Sequence, residues 1–505
     1  MSERATARPG VASWALPTVH ALLSLLVLTL IGWLLWQGWS DLRVDSVGDD
    51  ASQNLRSAMN VWQHGVYGES KTHVQAGFRR EPFPNWLLAF HLKWIVRPPS
   101  DITFWEFVAD PGLLRRTMGI NLGYMLGLFL SLWALCLRMI RPLWLAHPVA
   151  GLVIYYSYNA FAQGELDNLN TELLASVLIV ATGLAFVLLR QKLGTGWALL
   201  AGGVFGALVL TKASGAYIAL LLIPLVPLWL GVSRRRALRL GLCLGLGFGL
   251  AVLPWMGRNL LEFGKPAIAR GGGTVLLIRS VYDGMNPEEY RGAFYAYAPE
   301  KLKEEVFEKR FGYSPDLLKC GGPLERLVRN LPCDEEALEK GRHDELRGFY
   351  QTGKRKLSVQ LYQQATDSGF QGDREDLLRR AAIQRIRAAP LRHLMVSLPL
   401  SWRGMWSFEN HKTWFGVLAN GLAMLSLILM PFLAVLLRQP DWFFMSVAGA
   451  GYFYFYALFS HFITRYSESL IPLSLMCLSV LLLFLLRGLL GALHRRLPSN
   501  MVFKS

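Results

Sequence analysis

The sequence predicts an all-α protein that crosses a membrane many times. Of its 505 residues, 52% are hydrophobic and only 17% are charged, whereas charged residues make up about a quarter of a typical soluble domain. The mean hydropathy is +0.30. Apolar runs of roughly 17–25 residues, the length that spans a hydrocarbon core as a helix, recur in both halves of the chain. We therefore expect about ten transmembrane helices joined by polar loops.

The positions of the basic residues orient these helices. The predicted spans are residues 17–38, 117–137, 142–160, 171–189, 196–210, 213–229, 238–255, 414–437, 442–459 and 470–486. Short loops between alternate spans contain Arg138, Arg141, Arg190, Lys192, Arg234, Arg235, Arg236, Arg239 and Arg438. By the positive-inside rule these loops and both termini are cytoplasmic, and we expect a multi-pass protein of a bacterial inner membrane. The net charge of +16 thus predicts contact with membrane lipids and not with nucleic acid.

Three regions follow from this topology. Residues 1–256 form an amino-terminal transmembrane module whose first external loop, 39–116, contains two stretches of helical periodicity that are too short or too polar to span. We expect two helices on the membrane surface there. Residues 257–413, rich in charge, form a second external segment, predicted to be a small, mostly helical cap. Residues 414–505 contain the last spans and a cytoplasmic tail.

Two of the five cysteines lie in one polar loop of the cap. Cys320 and Cys333 are predicted on the outer face, where an oxidising compartment permits a disulfide, although two free thiols fit the sequence as well.

Two adjacent acids follow the first span. Asp49 and Asp50 stand at the amino end of the first surface helix, where the helix dipole favours ionised carboxylates. One of them can cap the helix, and the second carboxylate, which is then not needed for capping, suits a proton acceptor. The sequence leaves the structural and the catalytic explanations open.

Basic side chains gather on the same predicted face. Arg79 and Arg80 precede the second surface helix, and Arg258 follows a span at the outer interface, away from the other short-loop cations. Arginine can bind phosphate through two parallel hydrogen bonds. Attraction to lipid headgroups also explains arginines at a membrane surface.

Further ionisable residues mark the outer ends of apolar segments. The charged side chains of Glu172 and Lys212 would cost free energy inside a bilayer, which indicates a functional site. Near an interface, however, such side chains can reach water. Lys212, in "LTKASG", also marks a turn between two short helices. The outward-facing set is completed by Asp167, His461, Arg465 and Tyr466, the last three of which lie shortly before the last span.

Several function classes lack their signatures: the chain has no P-loop, no Gly-x-Ser-x-Gly elbow and no zinc-type His-Glu-x-x-His. A lipid or solute transporter or flippase is the main alternative to an enzyme, but transporters tend to have matched halves and charges near the midplane. A membrane scaffold whose cap binds a partner and an O-antigen ligase-like enzyme are further alternatives.

The order of the motifs resembles the GT-C superfold. The acidic pair is followed by "REP" (80–82), "LTK" (210–212), "PWMGRN" (254–259) and a late "RY" (465–466). More narrowly, the chain is similar to the polyprenyl-phosphate-sugar-dependent transferases, which include protein O-mannosyltransferases and bacterial aminoarabinose transferases of lipid A. Two features depart from that pattern: Gln53 stands where a tyrosine is frequent, and Arg80, Glu81, Pro82 and Phe83 stand where aminoarabinose transferases have Glu-Lys-Pro-Pro.

The resemblance implies an inverting hexosyl- or pentosyltransferase with an active site on the periplasmic face. Its donor would be a sugar on a polyprenyl phosphate, and its acceptor a glycan, a lipid or a protein. Asp49 would be the base, with Asp50 beside it. The residues that would hold the phosphate and substrate are Arg79, Arg80, Lys212, Arg258, Glu172, Arg465 and Tyr466. No organic cofactor is expected, and a divalent metal is left open.

Overall fold

The computed structural model describes residues 12–43, 47–70, 74–162, 164–407 and 413–496, with side chains except those of residues 12–16, 49 and 493–496. Over these ranges the chain is helical and contains no β-strand. Its amino-terminal helices are α1 (Ala12–Asp41), α2 (Asp49–His64), α3 (Pro82–His91), α4 (Phe104–Ala109), α5 (Pro111–Met118), α6 (Ile120–Met139), α7 (Leu143–Ala162), α8 (Glu172–Lys192), α9 (Thr195–Val209), α10 (Gly215–Leu228) and α11 (Arg234–Phe263).

The predicted cap, residues 257–413, is built from short helices. They are α12 (Gly272–Tyr282), α13 (Pro287–Ala296), α14 (Glu300–Leu302), α15 (Lys309–Phe311), α16 (Pro332–Glu339), α17 (Phe349–Gln351), α18 (Ser358–Asp367), α19 (Arg374–Ala388) and α20 (Pro390–Met405). Four helices follow: α21 (Trp414–Leu436), α22 (Pro440–Phe459), α23 (Thr464–Glu468) and α24 (Ile471–Arg496). Helix α11 continues past the predicted boundary at residue 256, to Phe263.

By length and composition, seven helical segments of the described chain can cross a membrane. They are Pro17–Asp41, Pro111–Met139, Glu172–Lys192, Arg234–Phe263, Trp414–Leu436, Pro440–Phe459 and Ile471–Ala492. The other three predicted spans correspond to α7, α9 and α10, of which α9 and α10 have only 15 and 14 residues. The prediction of an all-α polytopic protein is confirmed.

Helices α8 and α22 form the centre of the bundle. Each is 72% buried over its most apolar window, whereas α1 is only 17% buried and lies at the edge. Helix α8 packs against α6, α9 and α22, and α22 also packs against α20 of the cap. The central position of α8 places its first residue, Glu172, in the protein interior at one end of the bundle.

Small residues bring α9 and α11 into close contact. A Cβ atom at Gly202 of α9 would overlap the Leu244 carbonyl oxygen, and one at Gly247 of α11 would overlap the Leu199 carbonyl oxygen. Such reciprocal glycine contacts let membrane helices approach backbone to backbone. Helix α9 ends at Val209 and α10 begins at Gly215, so the predicted break at Lys212 is present.

Candidate active site

Helix α2 begins with the acidic pair, and the contacts of Asp50 can be described. It begins at Asp49, whose side chain lies outside the described part of the chain, and Asp50 occupies its first turn. The opposite face is buried through Ala51, Leu55 and Ala58. Asn54 Nδ2 donates to the Leu169 carbonyl oxygen at 2.8 Å, which joins the helix to the segment before α8. These contacts fix the direction in which Asp50 projects.

Asp50 is held between two arginines. Its Oδ1 accepts a hydrogen bond from Arg80 Nη2, and its Oδ2 accepts one from Arg465 Nη2 at 2.6 Å. Burial alone would raise the pKa of the Asp50 carboxyl, but the charges and hydrogen bonds of Arg80 and Arg465 outweigh burial and hold that pKa well below its usual range. Asp50 is therefore ionised at neutral pH.

Arg80 is positioned by side chains on both sides of its loop. Its Nε donates to Gln53 Oε1 at 3.1 Å, so this glutamine orients the guanidinium. The Tyr67 hydroxyl lies 3.0 Å from the carbonyl oxygens of Arg80 and Glu81, and Asn85 Nδ2 donates to the same hydroxyl at 2.7 Å.

A buried ion pair lies next to this group. Lys212 Nζ is 3.0 Å from Glu172 Oε1, and the two side chains are only 12% and 3% exposed. Arg465 Nε lies 3.4 Å from the same Glu172 oxygen. Arg465 therefore bridges two carboxylates and joins the two groups into one ion-pair cluster, which comprises Asp50, Arg80, Glu172, Lys212 and Arg465.

Two further carboxyl groups beside the ion-pair cluster were not predicted. Glu165 Oε1 accepts from Asn170 Nδ2 at 3.1 Å, while its Oε2 is buried without a hydrogen-bond partner among the described atoms. Burial and the nearby Glu172 raise the pKa of Glu165 to about 7, and burial together with Glu165 and Glu172 raises the pKa of Glu468 to about 9. The only sequence signal was the position of both residues in the polar segments "GELDNLN" and "RYSES".

Tyr466 extends the site through ring contacts. Its ring stacks on Tyr456 with centroids 5.0 Å apart and meets His461 edge-on at 5.7 Å. Ser214, in the turn after Lys212, donates to the Tyr456 hydroxyl at 3.4 Å. The predicted "RY" motif therefore contributes an arginine to the ion-pair cluster and an aromatic wall beside it.

The remaining predicted arginines have other surroundings. Arg258 Nη1 donates to the Gly77 carbonyl oxygen at 2.8 Å, and its Nη2 is 2.7 Å from Glu262, so this guanidinium anchors the first loop to α11. Arg79 is exposed, and only its backbone nitrogen, which donates to Glu69 at 3.0 Å, has a hydrogen bond with a residue that the structure describes.

The two cysteines of the cap are bonded to each other. Cys320 and Cys333 form a disulfide with Cα atoms 6.2 Å apart. Within the described residues, no group of three or more His, Cys, Asp or Glu side chains is placed to hold a metal ion.

Comparisons with known proteins find only limited similarity to this chain. No protein-family profile and no curated protein matches the sequence. Similar solved structures include the oligosaccharyltransferase AglB of Archaeoglobus fulgidus with an inhibitory peptide and a dolichol-phosphate, at a TM-score of 0.44 and 13% identity, and an apo oligosaccharyltransferase of the same organism, at 0.44 and 14% identity. Each match covers 94% of this chain and 52% of the other. The chain thus spans about half the length of these structures, and the likeness assigns it no family.

Proposed function

We propose that the protein is an integral membrane glycosyltransferase of the GT-C type. It would transfer a hexose or pentose from a polyprenyl-phosphate carrier to a glycan, lipid or protein acceptor at the periplasmic face of a bacterial inner membrane. The ion-pair cluster is the observation that carries this proposal, because it gathers Arg80, Lys212 and Arg465 around the carboxylates of Asp50 and Glu172. The motif order of the sequence supports the same class.

The three cations suit a phosphate leaving group. When the bond between the anomeric carbon and the phosphate oxygen breaks, the electron pair stays on that oxygen and negative charge grows there. Positive groups fixed in advance stabilise this charge more than they stabilise the bound donor, which lowers the barrier. Asp50 and Glu172 hold Arg80, Lys212 and Arg465 in place, so little reorganisation is needed when the donor binds.

The acidic pair divides into two roles in this mechanism. Asp50 is committed to two arginines and its lowered pKa makes it a weak proton acceptor, so we assign it to positioning. Asp49 is the proposed base: its carboxylate takes the proton of the acceptor hydroxyl while the acceptor oxygen bonds to the anomeric carbon. Attack opposite the departing phosphate inverts the configuration at that carbon.

Loss of Arg80 tests the proposed function in cells. Mass spectrometry of envelope glycans and glycolipids is expected to show a sugar addition that requires the intact chain and falls about 10- to 100-fold in Arg80→Gln, because a charge-assisted contact to phosphate is worth about 1.5–3 kcal/mol. Arg79→Gln, at the neighbouring position, is the matched control and is expected to reduce the sugar addition less than Arg80→Gln does. An unchanged glycan profile with altered lipid translocation would instead support a transporter.

The proposed orientation is tested by labelling thiols in spheroplasts with a membrane-impermeant maleimide. In a Cys333→Ser variant, the exposed Cys320 is expected to react before permeabilisation. Ser233→Cys, in the exposed loop between α10 and α11, is expected to react only afterwards, because this Arg-rich loop should be cytoplasmic. Replacing Cys243 in both variants removes the one partly accessible free thiol. The opposite labelling order would contradict the proposed orientation.

A further inference from the structure

The cap contains another group of basic side chains, which have no acidic partners among the residues that the structure describes. Arg329 follows a short 3₁₀ turn, Lys354 lies in the π-helical turn Thr352–Leu357, and Arg403 lies near the end of α20. None of the three forms an ion pair with a residue that the structure describes, whereas other basic residues of the cap do, such as Arg326 with Glu289 at 3.0 Å.

The three side chains contact phenol rings. Arg329 Nη2 donates to the Tyr350 hydroxyl at 3.2 Å, and Lys354 Nζ lies 5.3 Å from the centroid of the same ring. The Arg403 guanidinium carbon lies 4.7 Å from the centroid of Tyr297. Burial would raise the pKa of Tyr350, but the charges of Arg329 and Lys354 outweigh burial and lower it, as expected of an excess of positive charge.

His461 connects these residues to the ion-pair cluster. Its ring centroid is 5.2 Å from that of Tyr350 in the cap and 5.7 Å from that of Tyr466, the neighbour of Arg465. Burial and then the charges of Arg403, Arg329, Lys354 and Arg465 hold the pKa of His461 well below its usual value. The charges of these four cations therefore all act on the imidazole ring of His461, which is neutral.

The same ring carries an unsatisfied polar atom. His461 is 4% exposed, and its Nδ1 has no hydrogen-bond partner among the described residues. A buried polar atom and several cations that all lack partners within the described ranges each cost free energy, and one bound anion would offset both costs. Arginine forks and a lysine ammonium are the usual ligands of phosphate.

We propose that Arg329, Lys354 and Arg403 form a second phosphate-binding site, contributed by the cap and adjacent to Arg465. The phosphate would belong either to the lipid-linked donor or to a phosphorylated acceptor. The site differs from the ion-pair cluster in that no described carboxylate forms an ion pair with its cations, so an anionic ligand would complete it. Phosphate binding here does not depend on the proposed sugar transfer and is measurable without it.

Binding of two probes to the purified full chain in detergent tests this site. The probes are an undecaprenyl phosphate and a phosphorylated disaccharide glycolipid, and the triple variant Arg329→Gln, Lys354→Gln, Arg403→Gln is expected to bind one of them at least about tenfold more weakly. The matched control is Lys309→Gln, Lys319→Gln, Lys340→Gln, which removes three exposed, paired charges from the same cap and should leave both affinities unchanged.

The two probes separate the sources of the phosphate. Weaker binding of undecaprenyl phosphate assigns the site to the donor, and weaker binding of the glycolipid assigns it to the acceptor. Unchanged affinity for both probes in the folded triple variant would overturn the proposal. If the triple variant does not fold, Lys354→Gln alone should weaken one probe about threefold to tenfold, and equal affinities in that variant would be the overturning result. Affinities that fall without any sugar transfer would contradict the proposed enzyme and still support the site.

Discussion

Replacing Asp49 by asparagine is expected to reduce sugar transfer by about 100- to 10,000-fold, the usual contribution of a general base. Asparagine retains the size and the helix-capping ability of aspartate but cannot accept the acceptor's proton. Donor affinity should change little, because the cations of the ion-pair cluster are held by Asp50 and Glu172. The measurement is transfer from a polyprenyl-phosphate sugar by purified protein, with donor binding measured in parallel.

The controls for this variant separate the base from other carboxyl groups. Asp101→Asn removes an exposed acid of the same predicted loop and should leave transfer near normal. Glu165→Gln removes a half-buried carboxyl whose pKa, about 7, would also suit a base. Near-normal transfer by Asp49→Asn together with loss in Glu165→Gln would move the catalytic role to Glu165.

Replacing Glu172 by glutamine is expected to destabilise the protein by about 3–5 kcal/mol, because it leaves the buried Lys212 charge without its carboxylate. Lys212 is 12% exposed and Glu172 only 3%, so water cannot take the place of the missing partner. The double variant Glu172→Gln, Lys212→Met should recover most of the loss, because removing both charges also removes the cost of burying them. Thermal unfolding in detergent measures all three proteins.

A surface pair provides the comparison. Glu262→Gln breaks the contact with Arg258, in which the glutamate is 43% exposed, and such exposed pairs are worth about 0–1 kcal/mol. A loss in Glu172→Gln no larger than that in Glu262→Gln would contradict the assignment of a buried pair. Failure of the double variant to recover would show that Lys212 stabilises the fold through other contacts.

Local features of the fold could be predicted from the sequence. The apolar runs, the two helices after the first span and the break at Lys212 depend on periodicity and on nearby residues, which a sequence records directly. All five members of the ion-pair cluster were also among the predicted site residues. Glu172 and Lys212 were chosen because ionisable groups at the ends of apolar segments are costly unless they have a role.

The pairing of these residues could not be predicted. Asp50 and Arg465 are 415 positions apart, and only the packing of α2, α8 and α23 brings them together. Glu165 and Glu468 were missed because an acid in a polar segment is indistinguishable from a solvated one until burial is known. Arg329, Lys354 and Arg403 were missed for a similar reason: that they have no ion pair with a described carboxylate is a property of the folded chain, and the sequence around them contains many acids.

The bridge formed by Arg465 makes completion of the site depend on the order of synthesis. Glu172 and Lys212 are 40 residues apart, so at about 5–20 residues per second the ribosome separates them by about 2–8 s. Asp50 and Arg465 are 415 residues apart, so about 20–80 s separate their synthesis at the same rate. In the nascent chain the ion pair of Lys212 and Glu172 can therefore form early. Arg80 and Asp50 remain without Arg465 until the last helices emerge. A chain that ends before α23 would carry this incomplete ion-pair cluster, a difference by which cellular quality control could distinguish it from the finished protein.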